Sequence, residues 1–281
     1  MLASRLPFSA RPPACSRCFR TDAQGRIPLR ADWPALFSAL SPLGEIAVQS
    51  RHTYARLVHL GPPPGIVWDE DALTGRDESG SLRLHAALWG RPYGRLAICS
   101  CCDAPGHIEI HNVHGGDILQ LCPTAEVSPA AWAACLDPLV EPAAAGFPAD
   151  RRTGFPLLPP GLHPLREEVG ELSPLLAALG ARRVPVRFLL RTPEIVHLRE
   201  FTPRRVVTDY PLLVATDFRT TLQLALPPVQ SLAVGPDLGL HLAGPGGTLL
   251  LSLIGGACHA AAWRAALHAA FPSLRPLLST P

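Results

Sequence analysis

The sequence contains no lysine; its basic residues are all arginine. Any site for an anion must therefore use guanidinium groups, backbone N–H or histidine. Charge is sparse, at 17% of residues, and the formal net charge is only +2. With no basic block, nucleic acid is not an expected partner. Long apolar runs are missing as well. The longest, "TLLLSLIGGACHAAAW" at 248–263, is short, rich in Gly and Ala, and carries His259, so no membrane span is expected. The first twenty residues, "MLASRLPFSARPPACSRCFR", have no apolar stretch of the secretory kind, and three prolines break any amphipathic helix there. The expected location is cytoplasmic, with the eight cysteines as reduced thiols. There is no G-x-S-x-G elbow and no Walker sequence. "GPGG" at 244–247 reads as a hairpin turn, because no helix start follows it.

What is present is a chain with 47% apolar residues, enough to fill a large core. Residues 1–30 read as a mobile arm. "DWPALFSALSPLG" at 32–44 predicts a helix capped by Asp32, with Pro34 in its first turn and Leu36, Phe37 and Leu40 on one face. Alternating segments then predict strands, including "SLRLHAAL", "GRLAICSC" and the hairpin "HIEIHNVHGGDILQLC", with a polar loop at 69–80. "SPAAWAACLDPLV" at 128–140 predicts a helix capped by Ser128. A Pro/Gly-rich linker follows.

The pattern then restarts. "SPLLAALGARRVPVRFLLRTPEIVHL" echoes "PALFSALSPLGEIAVQSRHTYARLVHL", "TTLQLALPP" echoes "SLRLHAALW", "LGLHLAGPGGTLLLSLIGG" echoes "HIEIHNVHGGDILQLCP", and "AAWRAALHAAF" echoes "AAWAACLDPLV". Four segments recurring in one order predict a tandem duplication. The expected fold class is α+β: two antiparallel sheet units flanked by helices, with a ligand cleft between the halves. Expected boundaries are 31–140 for the first repeat, 141–165 for the linker and 166–281 for the second repeat.

The ordered segments "DWPALFSALSPLGEI", "SRHTYARL", "LRLHAALW" and "HIEIHNVHGGDILQL", with "YPLLVATDFRTTLQL" and the closing hairpin of the second half, resemble HemS/ChuS-type cytoplasmic haem-utilisation proteins. The resemblance spans roughly 32–268. It implies haem held in a cleft between the halves, intracellular haem trafficking for iron utilisation, and in some members opening of the porphyrin ring. A haem-donor or haem-acceptor protein is an implied partner. Arg83 matches the arginine of the L-R-L-x-x-x-x-W motif, which approaches haem opposite the iron ligand. Arg183 matches an arginine that meets a propionate. The axial histidine of D-T-H-x-F-F-x-L-L-x-x-x-G falls on Gly170, in "EVGELSPLLAALG". Ring opening needs a defined axial ligand, so that activity is doubtful from the sequence.

Other residues extend this set. His85 shares a strand face with Arg83, about 7 Å along. His163, seven positions before Gly170, is the nearest histidine to the missing ligand and the candidate iron ligand. His107, His111 and His114 lie on the 107–117 hairpin. Cys15 and Cys18 with two of Cys99, Cys101 and Cys102 form an alternative zinc set, against the simpler reading of idle thiols. The competing functional reading is a non-enzymatic interaction or regulatory protein on the same scaffold, without haem.

Overall fold

The computed structural model describes residues 25–63, 65–69, 72–99, 103–113, 115–141 and 156–274. The first half runs β1 (Ile27–Pro28), α1 (Trp33–Leu40), β2 (Ile46–Arg51), β3 (Ala55–Gly61), β4 (Ile66–Asp69), β5 (Ala72–Asp77), β6 (Gly80–His85), β7 (Trp89–Arg95), β8 (His107–Asn112), β9 (Asp117–Pro123) and α2 (Pro129–Leu136). The second half repeats that order: β10 (His163–Pro164), α3 (Leu172–Ala181), β11 (Val186–Arg191), β12 (Ile195–Phe201), β13 (Arg205–Asp209), β14 (Leu212–Thr216), β15 (Thr220–Ala225), β16 (Ser231–Val234), β17 (Leu240–Ala243), β18 (Leu249–Gly255) and α4 (Ala260–Ala270).

Local chemistry sets the helix starts. The Asp32 carboxylate accepts from the Ala35 N–H at 3.1 Å, and the Ser128 hydroxyl accepts from the Ala131 N–H at 3.1 Å, each with proline in the first turn. Gly180 ends the apolar face of α3 where no side chain fits: a Cβ there would lie 1.9 Å from the Pro203 carbonyl oxygen.

The strands form two nine-stranded antiparallel sheets. Sheet 1 has the order β1-β7-β8-β9-β2-β3-β15-β14-β13, and sheet 2 the order β10-β16-β17-β18-β11-β12-β6-β5-β4. The second order is the first with the halves interchanged. Each sheet therefore takes three strands from the other half. β15 pairs with β3 through Leu222 and Leu57, and β6 pairs with β12 through Arg83 and Val196.

Inner faces of both sheets pack on the helices. One core joins Leu36, Phe37 and Leu40 of α1 to Ile108, Ile110, Leu119 and Leu121, and also to Leu73, Leu82 and Leu84 of the exchanged strands. The other joins Leu172, Leu175, Leu176 and Leu179 of α3 to Phe188, Leu190, Leu213 and Leu222. At the junction the sheets meet directly. Ser50 of sheet 1 hydrogen-bonds His197 Nδ1 of sheet 2 at 2.7 Å. Arg199 donates from Nε to His197 Nε2 at 3.0 Å, and from Nη1 to Asp77 and to Ser79. Since guanidinium only donates, His197 Nε2 accepts, and the neutral ring donates from Nδ1 to Ser50. Burial, then the Arg199 charge, pushes the His197 pKa well below its usual value.

Four expectations change. Ile27 and Pro28 of the expected arm form β1 against Tyr93 and Gly94, with Ile27 fully buried; residues 1–24 lie outside the described set. The polar 69–80 segment is the β4–β5–β6 region. It looks loop-like because these strands reach the edge of sheet 2. The strand expected through Cys99 stops at Arg95; the Cys99 N–H donates to the Ala104 carbonyl and its carbonyl accepts from the Asp103 N–H, both at 2.9 Å, and residues 100–102 lie outside the described set. The linker ends in β10, and residues 142–155 are likewise outside it.

Candidate functional site: the outer face of sheet 2

Strand alternation sends Leu82 and Leu84 of β6 inward and Arg83 outward, where it is exposed. Its row is fixed by pairing: Thr74 on β5 lies beside Arg83, Arg83 beside Val196 on β12, and Val196 beside Arg191 on β11. Directly paired residues share a face, so Arg83 and Arg191 project together across two strand spacings, about 10 Å. The next row holds Leu198 and Leu189, both half-buried, giving an apolar floor between the arginines. Among the described residues, neither Arg83 nor Arg191 has a carboxylate partner. Thr74 Oγ1, beside Arg83, is buried without a hydrogen bond.

The turn carrying Arg191 is anchored by the first half. Thr192 Oγ1 accepts from the Glu194 and Ile195 N–H groups at 3.3 and 3.1 Å. Glu194 accepts from Asn112 Nδ2 at 3.0 Å, and its carbonyl accepts from the His85 N–H at 2.9 Å and from Trp89 Nε1 at 3.4 Å. Trp89 in turn meets Trp33 edge-on at 4.6 Å. The six-residue spacing from Arg83 to Trp89 is thus a construction feature: the tryptophan pins the turn that presents Arg191.

The structure brings some predicted residues together and separates others. His85 is half-buried on the face of Arg83. Arg183 is exposed just beyond α3, with φ of 56°, at the far end of β11 from Arg191. α3 itself packs on the inner face of sheet 2, opposite the face of Arg83. His163 is exposed on β10, six strand spacings from β6, or about 29 Å across a flat sheet. It is not placed to ligate an iron held over Arg83, because the linker feeds the opposite sheet edge. Gly170 is exposed, with nothing within 4 Å of a Cβ built there. Arg191 was missed in the sequence. The signal is the hairpin register of "RTPEI", which sets Arg191 opposite Val196.

The outer face of sheet 1 has different chemistry. Glu109 on β8 accepts from Arg95 Nε at 2.5 Å and contacts His107 Nε2 at 3.0 Å and His111 Nε2 at 3.4 Å. Burial opposes ionisation of Glu109, but those hydrogen bonds and the Arg95 charge outweigh it and hold the carboxyl far below its usual range. Arg51 pairs with Asp117. No group of three or more His, Cys, Asp or Glu fit to hold a metal occurs among the described residues. Cys15, Cys18, Cys101, Cys102 and His114 lie outside them.

Two exchanged antiparallel sheets with helices on their inner faces define an α+β tandem-duplicated fold. It is the fold of haem-handling proteins of known structure. The chain is similar to apo-PhuS, a haem-binding protein from Pseudomonas aeruginosa, at TM-score 0.71 and 14% identity, covering 87% of this chain and 86% of that one. It is similar to the haem-degrading enzyme ChuS of Escherichia coli O157:H7 at TM-score 0.72 and 15% identity, again covering 87% and 86%. Holo-PhuS matches at TM-score 0.70 and 15% identity, covering 83% and 82%. No family model and no curated protein sequence matches the chain. Among the described residues no helix is long and apolar enough to cross a membrane.

Proposed function

We propose that the protein binds haem or a related tetrapyrrole on the outer face of sheet 2 and passes it to an acceptor protein in the cytoplasm, in service of iron utilisation. The observation that carries this reading is the pair Arg83 and Arg191, facing outward without described carboxylate partners across the apolar floor of Val196, Leu198 and Leu189. A flat apolar ring bearing carboxylates matches that layout, since guanidinium holds carboxylate by charge-assisted, often bidentate, hydrogen bonds. The shared fold with PhuS and ChuS supports the choice of tetrapyrrole over other flat anions. His85, beside Arg83, is the imidazole that can approach iron from this face. Gly170 supplies no side chain at the position where the resemblance expects the axial ligand. The reading is therefore cargo binding and release, with no ring opening assigned.

Haemin titration of the apoprotein tests this. A sharp, stoichiometric Soret shift is expected. Replacing both arginines, Arg83→Gln with Arg191→Gln, is expected to weaken binding about a hundredfold, given about 1.5–3 kcal/mol for each hydrogen bond to a charged group. Diffuse, non-saturating binding by the unaltered protein overturns the proposal.

A further inference from the structure

The outer face of sheet 1 holds a hollow of about 390 Å³, lined by Arg51, Arg56, Arg95, Ile98, His107 and Glu109 among others. Arg56 also lines a neighbouring hollow with Gln49, Cys122 and Gln223. The acidic groups nearby are committed: Glu109 to Arg95 and the two histidines, Asp117 to Arg51. Arg56 is held differently. Its Nη2 donates to Gln49 Oε1 and its Nη1 to Gln223 Oε1 at 3.5 Å, while Gln49 donates on to Gln120 at 2.6 Å. These are neutral amides. They orient the guanidinium without cancelling its charge, and the buried Nε has no acceptor. Across the same hollow, His107 is 9% exposed and donates from Nε2 to the Glu109 carboxylate at 3.0 Å, so it adds no charge opposed to an anion. A guanidinium held by neutral amides, with a donor left unfilled, beside a net-positive hollow describes a seat for an oxyanion. The volume lies in the range of small-ligand sites, and Ala97 and Ile98 add a short apolar wall.

We propose that this face is a second binding site, separate from the arginine pair on sheet 2, for a small molecule bearing a carboxylate or phosphate group. Arg56 is its charged anchor. The seat is small and lies on the opposite sheet, so it does not depend on the tetrapyrrole reading.

Calorimetric titration of the full-length protein with inorganic phosphate and with malonate, at constant ionic strength, tests it. Saturable binding of at least one probe is expected, and the tighter probe identifies the head group. Arg56→Gln is expected to weaken that binding tenfold or more. Arg56→Lys, which keeps the charge and loses Nε, is also expected to weaken it and serves if the glutamine variant does not fold. Arg83→Gln is expected to leave it unchanged. Absence of saturation with both probes, or binding that survives both Arg56 variants, overturns the inference. A protein that takes up phosphate or malonate but not haemin loses the sheet 2 reading alone.

Discussion

The two outer faces stand on equivalent strands and carry opposite arrangements of the same residue type. Arg191 of sheet 2 corresponds to Arg51 of sheet 1, Val196 to Arg56, and Arg83 to Gln223, by the matching rows of paired strands. On sheet 1 the arginines are engaged: Arg51 by Asp117, Arg95 by Glu109, Arg56 by glutamine amides. On sheet 2 the two arginines stand apart over leucine and valine. Inner faces of duplicated sheets are held to a common pattern by the cores they fill. Outer faces carry no such constraint, so the chemistry of the two copies has separated there.

The junction offers the most severe way to break the symmetry. Asp77→Ala strips the counter-ion from Arg199, which is 1% exposed, and is expected to cost about 3 kcal/mol in urea denaturation. Its duplicate, Asp217, accepts among the described residues from the Arg219 and Thr220 N–H groups of a turn, so Asp217→Ala is expected to cost about 1 kcal/mol. Equal losses would show that the junction is symmetric in energy despite its residues.

Acid is the next lever. Burial, then the Arg199 charge, lowers the His59 pKa to about 4, and His197 shifts the same way. The unfolded chain takes up protons near pH 6.5 while the folded chain resists them. Stability is then fully present above pH 6.5 and falls as pH drops towards 4. Asp77, lowered to about 2 mainly by Arg199 and Ser79 against the opposing effect of burial, extends the loss below pH 4. The folding constant is expected to drop at least about tenfold between pH 6.5 and 4, and His59→Gln to flatten the slope. Denaturation curves that superimpose across this range would contradict the neutral, buried histidines.

Iron spectra sharpen the contrast between the faces. His85→Ala is expected to alter the Soret band of the haemin complex, whereas Gly170→His, though there is open space for it, is expected to leave the band unchanged. The reverse result would move the iron to the start of α3. The smallest effect is at Arg183, whose positive φ favours glycine. Arg183→Gly is expected to raise stability by under about 1 kcal/mol and leave haemin affinity within about twofold. A larger fall in affinity would return Arg183 to the binding surface.

Local rules made much of this molecule legible. The caps Asp32 and Ser128, the hairpin over 107–123 and the recurrence of four segments all depend on neighbours in sequence, and all read correctly. Arg83 could be placed outward because Leu82 and Leu84 flank it. The exchange of β4–β6 and β13–β15 could not be read, because alternation says which face a residue takes but not which strand lies alongside. The same gap hid Arg191 and put His163 near the site on sequence distance, when β10 lies at the remote edge of sheet 2.

The strand exchange also governs how the protein is made. On the ribosome, β3 is complete at Gly61, but its partner β15 is complete only at Ala225. At 5–20 residues per second the nascent chain carries that raw edge for roughly 10–30 s. Neither half can close its own sheet, so a stalled or truncated first half presents open hydrogen-bonding edges to whatever is nearby, including another copy of itself.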